Sequence, residues 1–323
     1  MDILLLEDLA PDARQWLADR HAVHYRPELM GDMTALRSHL YKADALVVPP
    51  GLMVNAQLLD FAPRLVALGR IHDGTENVDF EACQRRRVRV IQASSATVRA
   101  SAEYLLSALL ALFRQGVRQR GDGDVRSLRR PGREINDSVI ALLGLSPPAH
   151  MLATMLVPLG ARVVGYDPAV HRSAELWRRL GVQPMGLTEM LEVADAVSMQ
   201  LVYASRYRGL LGDRVLSACK FGQMWSSISR PSLFELPALA QVLRTRRISA
   251  LMMDSDDESL SAPDMPLANL TNVRITPRLA PFTHESVLRG SWYLADRIHE
   301  TLVMAEVRKQ PGMLLDSDPM PLA

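Results

Sequence analysis

The chain is short of several things, and each shortage removes a class of function. It has two cysteines among 323 residues, Cys83 and Cys219. They lie far apart without metal-ligand spacing, so they read as thiols of a reducing compartment rather than a disulfide framework. Eight histidines make no HxxxH pair and no Cys/His cluster, with His21 and His24 coming nearest, and no metal site is expected. An excess of one charge is also missing. The 37 Lys+Arg against 36 Asp+Glu leave a net charge of +1, which gives no electrostatic reason to expect nucleic acid or an anionic membrane as partner. No apolar run is expected to reach the roughly 18 residues of a membrane span. The opening stretch MDILLLEDLA is too acidic and too briefly apolar for a signal peptide. The resulting expectation is a cytoplasmic protein.

What is present is a 48% hydrophobic chain long enough for about two ordinary domains. Short apolar runs recur, and each is followed by a longer segment whose apolar residues return every three or four positions. The first set is ILLLED (3–8), ALVVPP (45–50), LVALGRI (65–71) and VRVIQA (88–93). The second is VIALLGL (139–145), RVVGYD (162–167), AVSMQL (196–201), FGQMWSS (221–227), ISALMMD (248–254) and VRITP (273–277). Strands alternating with helices predict parallel sheets covered on both faces, an α/β fold. Residues 100–117 predict one long apolar helix, and the Gly- and Arg-rich stretch 118–138 a surface loop with solvated arginines. A last helix is predicted over 286–307, before a proline-rich tail.

The second set opens like a dinucleotide-binding unit. In G-x-G-x-x-G/A the first glycine makes the turn, the second admits the pyrophosphate, and the third allows close helix packing. Those positions hold Gly144, Ser146 and Ala149 in GLSPPA. An acidic residue is expected about 20 positions on, at a strand end, and Asp167 closes RVVGYD. Pro147 and Pro148 suit a first helical turn, yet each lacks the N–H that a phosphate would use.

Taken with the rest of the chain, this region resembles the D-isomer-specific 2-hydroxyacid dehydrogenases. The resemblance runs from about residue 40 to 300, through RLVALGRIHDGTENVDFEAC, ASAEYLLSALLALFR, GARVVGYDP, YRGLLGDRVLSACKFGQ and NLTNVRITPRLAPFT. It implies two doubly wound parallel-sheet domains with a cleft between them. One is a flavodoxin-like substrate domain (1–99 plus 284–323), the other a Rossmann-type NAD-binding domain (100–283). It further implies a homodimer, a small carboxylate ligand, and an NAD site weakened by Ser146, Pro147 and Pro148.

The residues carried over by the resemblance are Arg230 in SSISRP as the substrate-carboxylate partner, and Asp254 in MMDSDDESL as a nicotinamide-side contact. The family glutamate that orients the catalytic histidine is replaced by Ser259, with Glu258 one residue early. The histidine of T-P-H is replaced by Arg278 in TPRLAP. A guanidinium with pKa above 12 cannot shuttle a proton near neutrality, whereas an imidazole near 6.5 can. The family's H-x-P is Gln200-Leu201-Val202 here, and His72 stands in the substrate loop where glycine is usual. The apolar framework and turn residues persist while these changes collect at one site, which reads as a folded protein with an altered site. Three functions stay open. One is a divergent oxidoreductase with His72 or His284 as proton donor, and one is a catalytically silent homologue that binds a small carboxylate, nucleotide or partner. The third is a site rebuilt for non-redox chemistry around Arg230, Arg278 and Asp256, Asp257 or Glu258.

Overall fold

A computed structural model of the protein describes residues 1–71, 77–114 and 131–309. The chain divides into two compact units, one formed by Met1–Thr97 with the segment from His284 onward, the other by Val98–Thr283.

The first unit is built on a five-stranded parallel sheet of β1 (Asp2–Leu5), β2 (Ala22–Tyr25), β3 (Ala45–Val47), β4 (Ala67–Arg70) and β5 (Arg89–Gln92). Their order is β2-β1-β3-β4-β5, with every pair parallel. Successive side chains of a strand point to opposite faces, so each apolar run feeds two cores. Leu4, Leu46 and Leu68 enter one core, while Ile3, Leu5, Ala45, Val47 and Ala67 enter the other. The second core is closed by the helix His284–Lys309, through Leu294, Ala295, Ile298 and Leu302.

The second unit carries seven strands: β6 (Val139–Leu143), β7 (Arg162–Tyr166), β8 (Gln183–Pro184), β9 (Ala196–Met199), β10 (Gln223–Ser227), β11 (Ile248–Asp254) and β12 (Val273–Thr276). The order is β12-β11-β10-β9-β6-β7-β8, all parallel. Both faces are covered here too. Ala141 and Leu143 of β6 pack with Val197 and Met199 of β9 on one side, and Ile140 and Leu142 pack with the helices Val98–Phe113 and Pro147–Leu156 on the other.

Three expectations need amending. The apolar helix begins at Val98 and is described as far as Phe113, and most of the loop predicted to follow it lies outside the described residues. With the short turn before it, the stretch Ser94–Phe113 is, by length and composition, apolar enough to cross a membrane. Hydropathy does not decide between a span and a core helix, but packing bears on it: Leu105, Ala108, Leu109, Leu112 and Phe113 are buried against β6 and its helix. The third amendment is the pair of strands β2 and β8, which no apolar run announces.

Candidate active site

Loops at the carboxyl ends of the strands in the second unit carry nearly all the residues singled out in the sequence. A ligand of such a sheet sits where successive connections depart in opposite directions. Here that point lies between β6 and β9, because the chain goes from β6 outward to β7 on one side and returns to β9 on the other.

The turn after β6 occupies this position. Gly144 has φ +96°, a conformation L side chains rarely adopt, and a Cβ there would lie 2.6 Å from the backbone nitrogen of Leu201. The first glycine therefore serves both turn geometry and close approach to the β9 loop. Gln200 secures that approach: its buried amide donates to the Gly144 carbonyl at 2.7 Å and accepts from the Ser198 hydroxyl at 2.9 Å. Ala149 is fully buried against the sheet, where a larger side chain would hold the helix away.

The donors left for an anion can be counted. Pro147 and Pro148 open the helix without N–H groups, and the N–H of Ala149 is already committed to the Ser146 carbonyl at 2.8 Å. The Leu145 N–H donates to Asp167 Oδ2 at 2.7 Å, and the Ala169 N–H to Asp167 Oδ1 at 2.7 Å. Ser146 thus supplies what remains, a backbone N–H and a hydroxyl with no partner among the described residues. Among the described residues of this turn, Ser146 is what would meet an NAD pyrophosphate. Each carboxylate oxygen of Asp167 holds one amide and keeps acceptor capacity, as a carboxylate that takes a ribose hydroxyl needs.

The adjacent strand ends β10, β11 and β12 bring together Arg230, Asp254, Asp256 and Arg278. Arg230 lies three residues beyond β10, with its guanidinium carbon 4.7 Å from the ring centre of Tyr203. That stacking orients the planar cation. Asp254, at the end of β11, is buried and points into the loop that follows β12. It accepts from the Thr276 hydroxyl, from the Leu279 N–H at 2.8 Å and from the Ala280 N–H at 2.8 Å. The same Thr276 hydroxyl meets the phenol of Tyr104 at 2.6 Å. Burial pushes the Tyr104 phenol up, its bond to Thr276 opposes this, and the nearby Asp254 charge adds to the rise.

Arg278 sits in the middle of the loop so clamped, with φ +50°. Its guanidinium donates to Asp256 Oδ2 at 2.9 Å. Burial raises the Asp256 carboxyl, but the Arg278 bond and charge, with a contribution from Arg230, outweigh it and leave the group below the usual carboxylate range. Where the resemblance places an imidazole, the protein therefore has a guanidinium, and its partner is Asp256 rather than Ser259 at the position of the orienting glutamate.

The remaining candidates fall apart from this group. Ser259 is exposed and turned back on its own loop, its hydroxyl donating to Asp257 Oδ1 at 2.5 Å and its N–H to the same atom at 3.1 Å. Asp257 is thereby occupied as a cap, and the side chain of Glu258 lies outside the described residues. His72 also lies outside them. His284 is exposed and opens the last helix of the first unit. The sequence reading missed Tyr104, Thr276 and Tyr203. A tyrosine inside an otherwise apolar helix was the available signal for the first, since a buried phenol takes a partner. No local pattern marked the other two.

Residues 104–280 match the NAD binding domain of the D-isomer specific 2-hydroxyacid dehydrogenases. The chain belongs to this family. Among its relatives, the (S)-sulfolactate dehydrogenase of Chromohalobacter salexigens is 28% identical over 93% of this chain and 98% of that protein. D-3-phosphoglycerate dehydrogenase of Mycobacterium leprae is 29% identical over 93% of this chain, which spans only 56% of that longer protein. Among solved structures, the apo D-mandelate dehydrogenase of Rhodotorula graminis superposes with a TM-score of 0.79 at 20% identity, covering 93% of this chain and 94% of that one. That last likeness bears on the fold.

Proposed function

We propose that this family member is a divergent NAD-dependent oxidoreductase of 2-hydroxy and 2-oxo acids in which proton transfer no longer runs through an imidazole relay. The observation that carries this reading is the Arg278–Asp256 pair at 2.9 Å, standing where the family motif has its histidine. NAD, when bound, supplies the hydride. Ser146 holds the pyrophosphate through its N–H and hydroxyl, Asp167 receives the ribose, and Arg230 binds the substrate carboxylate. A guanidinium is a poor proton donor, so Arg278 can hold an oxyanion or polarise a carbonyl without giving up a proton. The proton that balances hydride transfer would then come from solvent water, and reduction of ordinary 2-oxo acids is slow, since general acid–base help is typically worth roughly 10²–10⁴ in rate.

One observation favours a second reading, a homologue that binds a small carboxylate and performs no redox step. The two prolines of the phosphate turn remove donors that the cofactor would use. Calorimetric titration with NAD⁺ and NADH at millimolar concentration separates the two. Saturable binding is the expected result, and no binding would overturn the oxidoreductase reading in favour of the silent one. The homodimer implied by the family resemblance belongs to the same proposal, and light scattering of the purified chain tests it.

A further inference from the structure

The replacement of the relay adds a charge as well as removing a proton carrier. Arg230, Asp256 and Arg278 follow three strands that are neighbours in the sheet, β10, β11 and β12. Arg278 is 39% exposed and Asp256 63% exposed. Arg230 is braced on Tyr203 and also bears on Asp256. Asp256 thus lies in the field of two guanidiniums that come from either side of its own strand. Its neighbour Asp257 is committed to capping its own turn and adds no bond to either arginine.

An ion pair this exposed contributes little to stability, because water competes for both partners. Nothing in packing therefore requires Arg278 to keep Asp256 as its partner. The backbone around Arg278 is held in the opposite manner, fixed by the buried carboxylate of Asp254. Asp254 fixes Thr276, Leu279 and Ala280 on both sides of it, and Arg278 itself takes a left-handed conformation unusual for a side-chain-bearing residue. A rigid, strained backbone presenting a charged head on a replaceable partner is the arrangement of a binding group.

We propose that Arg278 is an anion-binding residue that acts with Arg230 to select a small acid carrying two negative groups, and that Asp256 is the counter-ion such a ligand displaces. The ligand class is a short 2-hydroxy or 2-oxo acid with a second carboxylate, sulfonate or phosphate. This rests on reading this end of the sheet as the substrate site, but not on the cofactor being bound.

The test compares malate, with two carboxylates, against lactate, with one, by calorimetry on the full chain without NADH. Malate is expected to bind more tightly by roughly tenfold or more, the worth of one added charge-assisted contact, and the preference should shrink as salt is raised. Arg278→Gln should abolish the preference, weakening malate far more than lactate. Arg278→Lys, which keeps the charge and loses the planar fork, should retain part of it. Asp256→Asn should tighten malate binding by removing the competing carboxylate. Equal affinities in the wild type would overturn the proposal, as would no saturable malate binding, a preference that survives Arg278→Gln in a folded variant, or weaker malate binding in Asp256→Asn. NADH binding is measured separately. Malate selection without NADH binding would sink the oxidoreductase reading alone, and NADH binding without malate selection would sink this inference alone.

Discussion

Asp254 accepts hydrogen bonds from the Thr276 hydroxyl and from the N–H groups of Leu279 and Ala280, and so holds the chain on both sides of Arg278. Asp254→Asn leaves one of those amides facing a donor. The expected cost is about 1–3 kcal/mol, read as a lower urea midpoint, together with loss of the malate preference because Arg278 is no longer held. A second buried carboxylate, Asp195, works at the other end of the sheet. It accepts from Arg133 at 2.9 Å, from Lys220 at 2.9 Å and from the Val139 N–H at 2.9 Å. Burial raises its carboxyl, but these bonds outweigh burial and hold it at about 2 against an ordinary 3.8. A carboxylate depressed in the folded state stabilises above its unfolded pKa and loses that contribution as pH falls through the folded one. Stability of the second unit should therefore drop as acid is added from 3.8 toward about 2, and Asp195→Asn should flatten that drop in a pH series of thermal melts. At this scale the sequence shows identity better than role. That an arginine stands at position 278 is plain in TPRLAP, whereas the clamp made by Asp254 depends on backbone amides 25 and 26 residues away.

The strand–turn–helix around Gly144 is legible wherever burial on both faces demands an unbroken apolar run, as in VIALLGL. Edge strands carry no such demand, which is why β2 and β8 escaped the sequence reading. All four side chains of β2 are exposed or half-buried, and β8 has two residues of the same kind. The phosphate turn separates fold from function within one element. Gly144→Ala forces a Cβ into the Leu201 backbone at positive φ, and is expected to cost about 3 kcal/mol or more, seen as a lowered melting temperature. Pro148→Ala restores one N–H at the helix start. It should tighten NADH binding several-fold, as a gained phosphate donor does, with little change in stability.

For the whole molecule, composition and alternation disclosed an α/β fold with parallel sheets, and the order of landmarks disclosed the family. Ordered apolar runs determine which strands lie inside, so these features do not depend on any one site residue. Where the strand-end side chains meet was not legible, because Arg230, Asp256 and Arg278 are brought together only by the order of β10, β11 and β12. The central proposal is that the frame of a 2-hydroxyacid dehydrogenase persists while its proton relay has been replaced by the exposed Arg278–Asp256 ion pair. It is tested most directly by NADH oxidation with a 2-oxo acid, comparing the wild type with the double variant Arg278→His, Ser259→Glu. A slow wild type and a gain of roughly 10²–10⁴ in the variant, appearing with a pH dependence near the imidazole pKa, is the predicted result. A variant that binds NADH and shows no gain would contradict it.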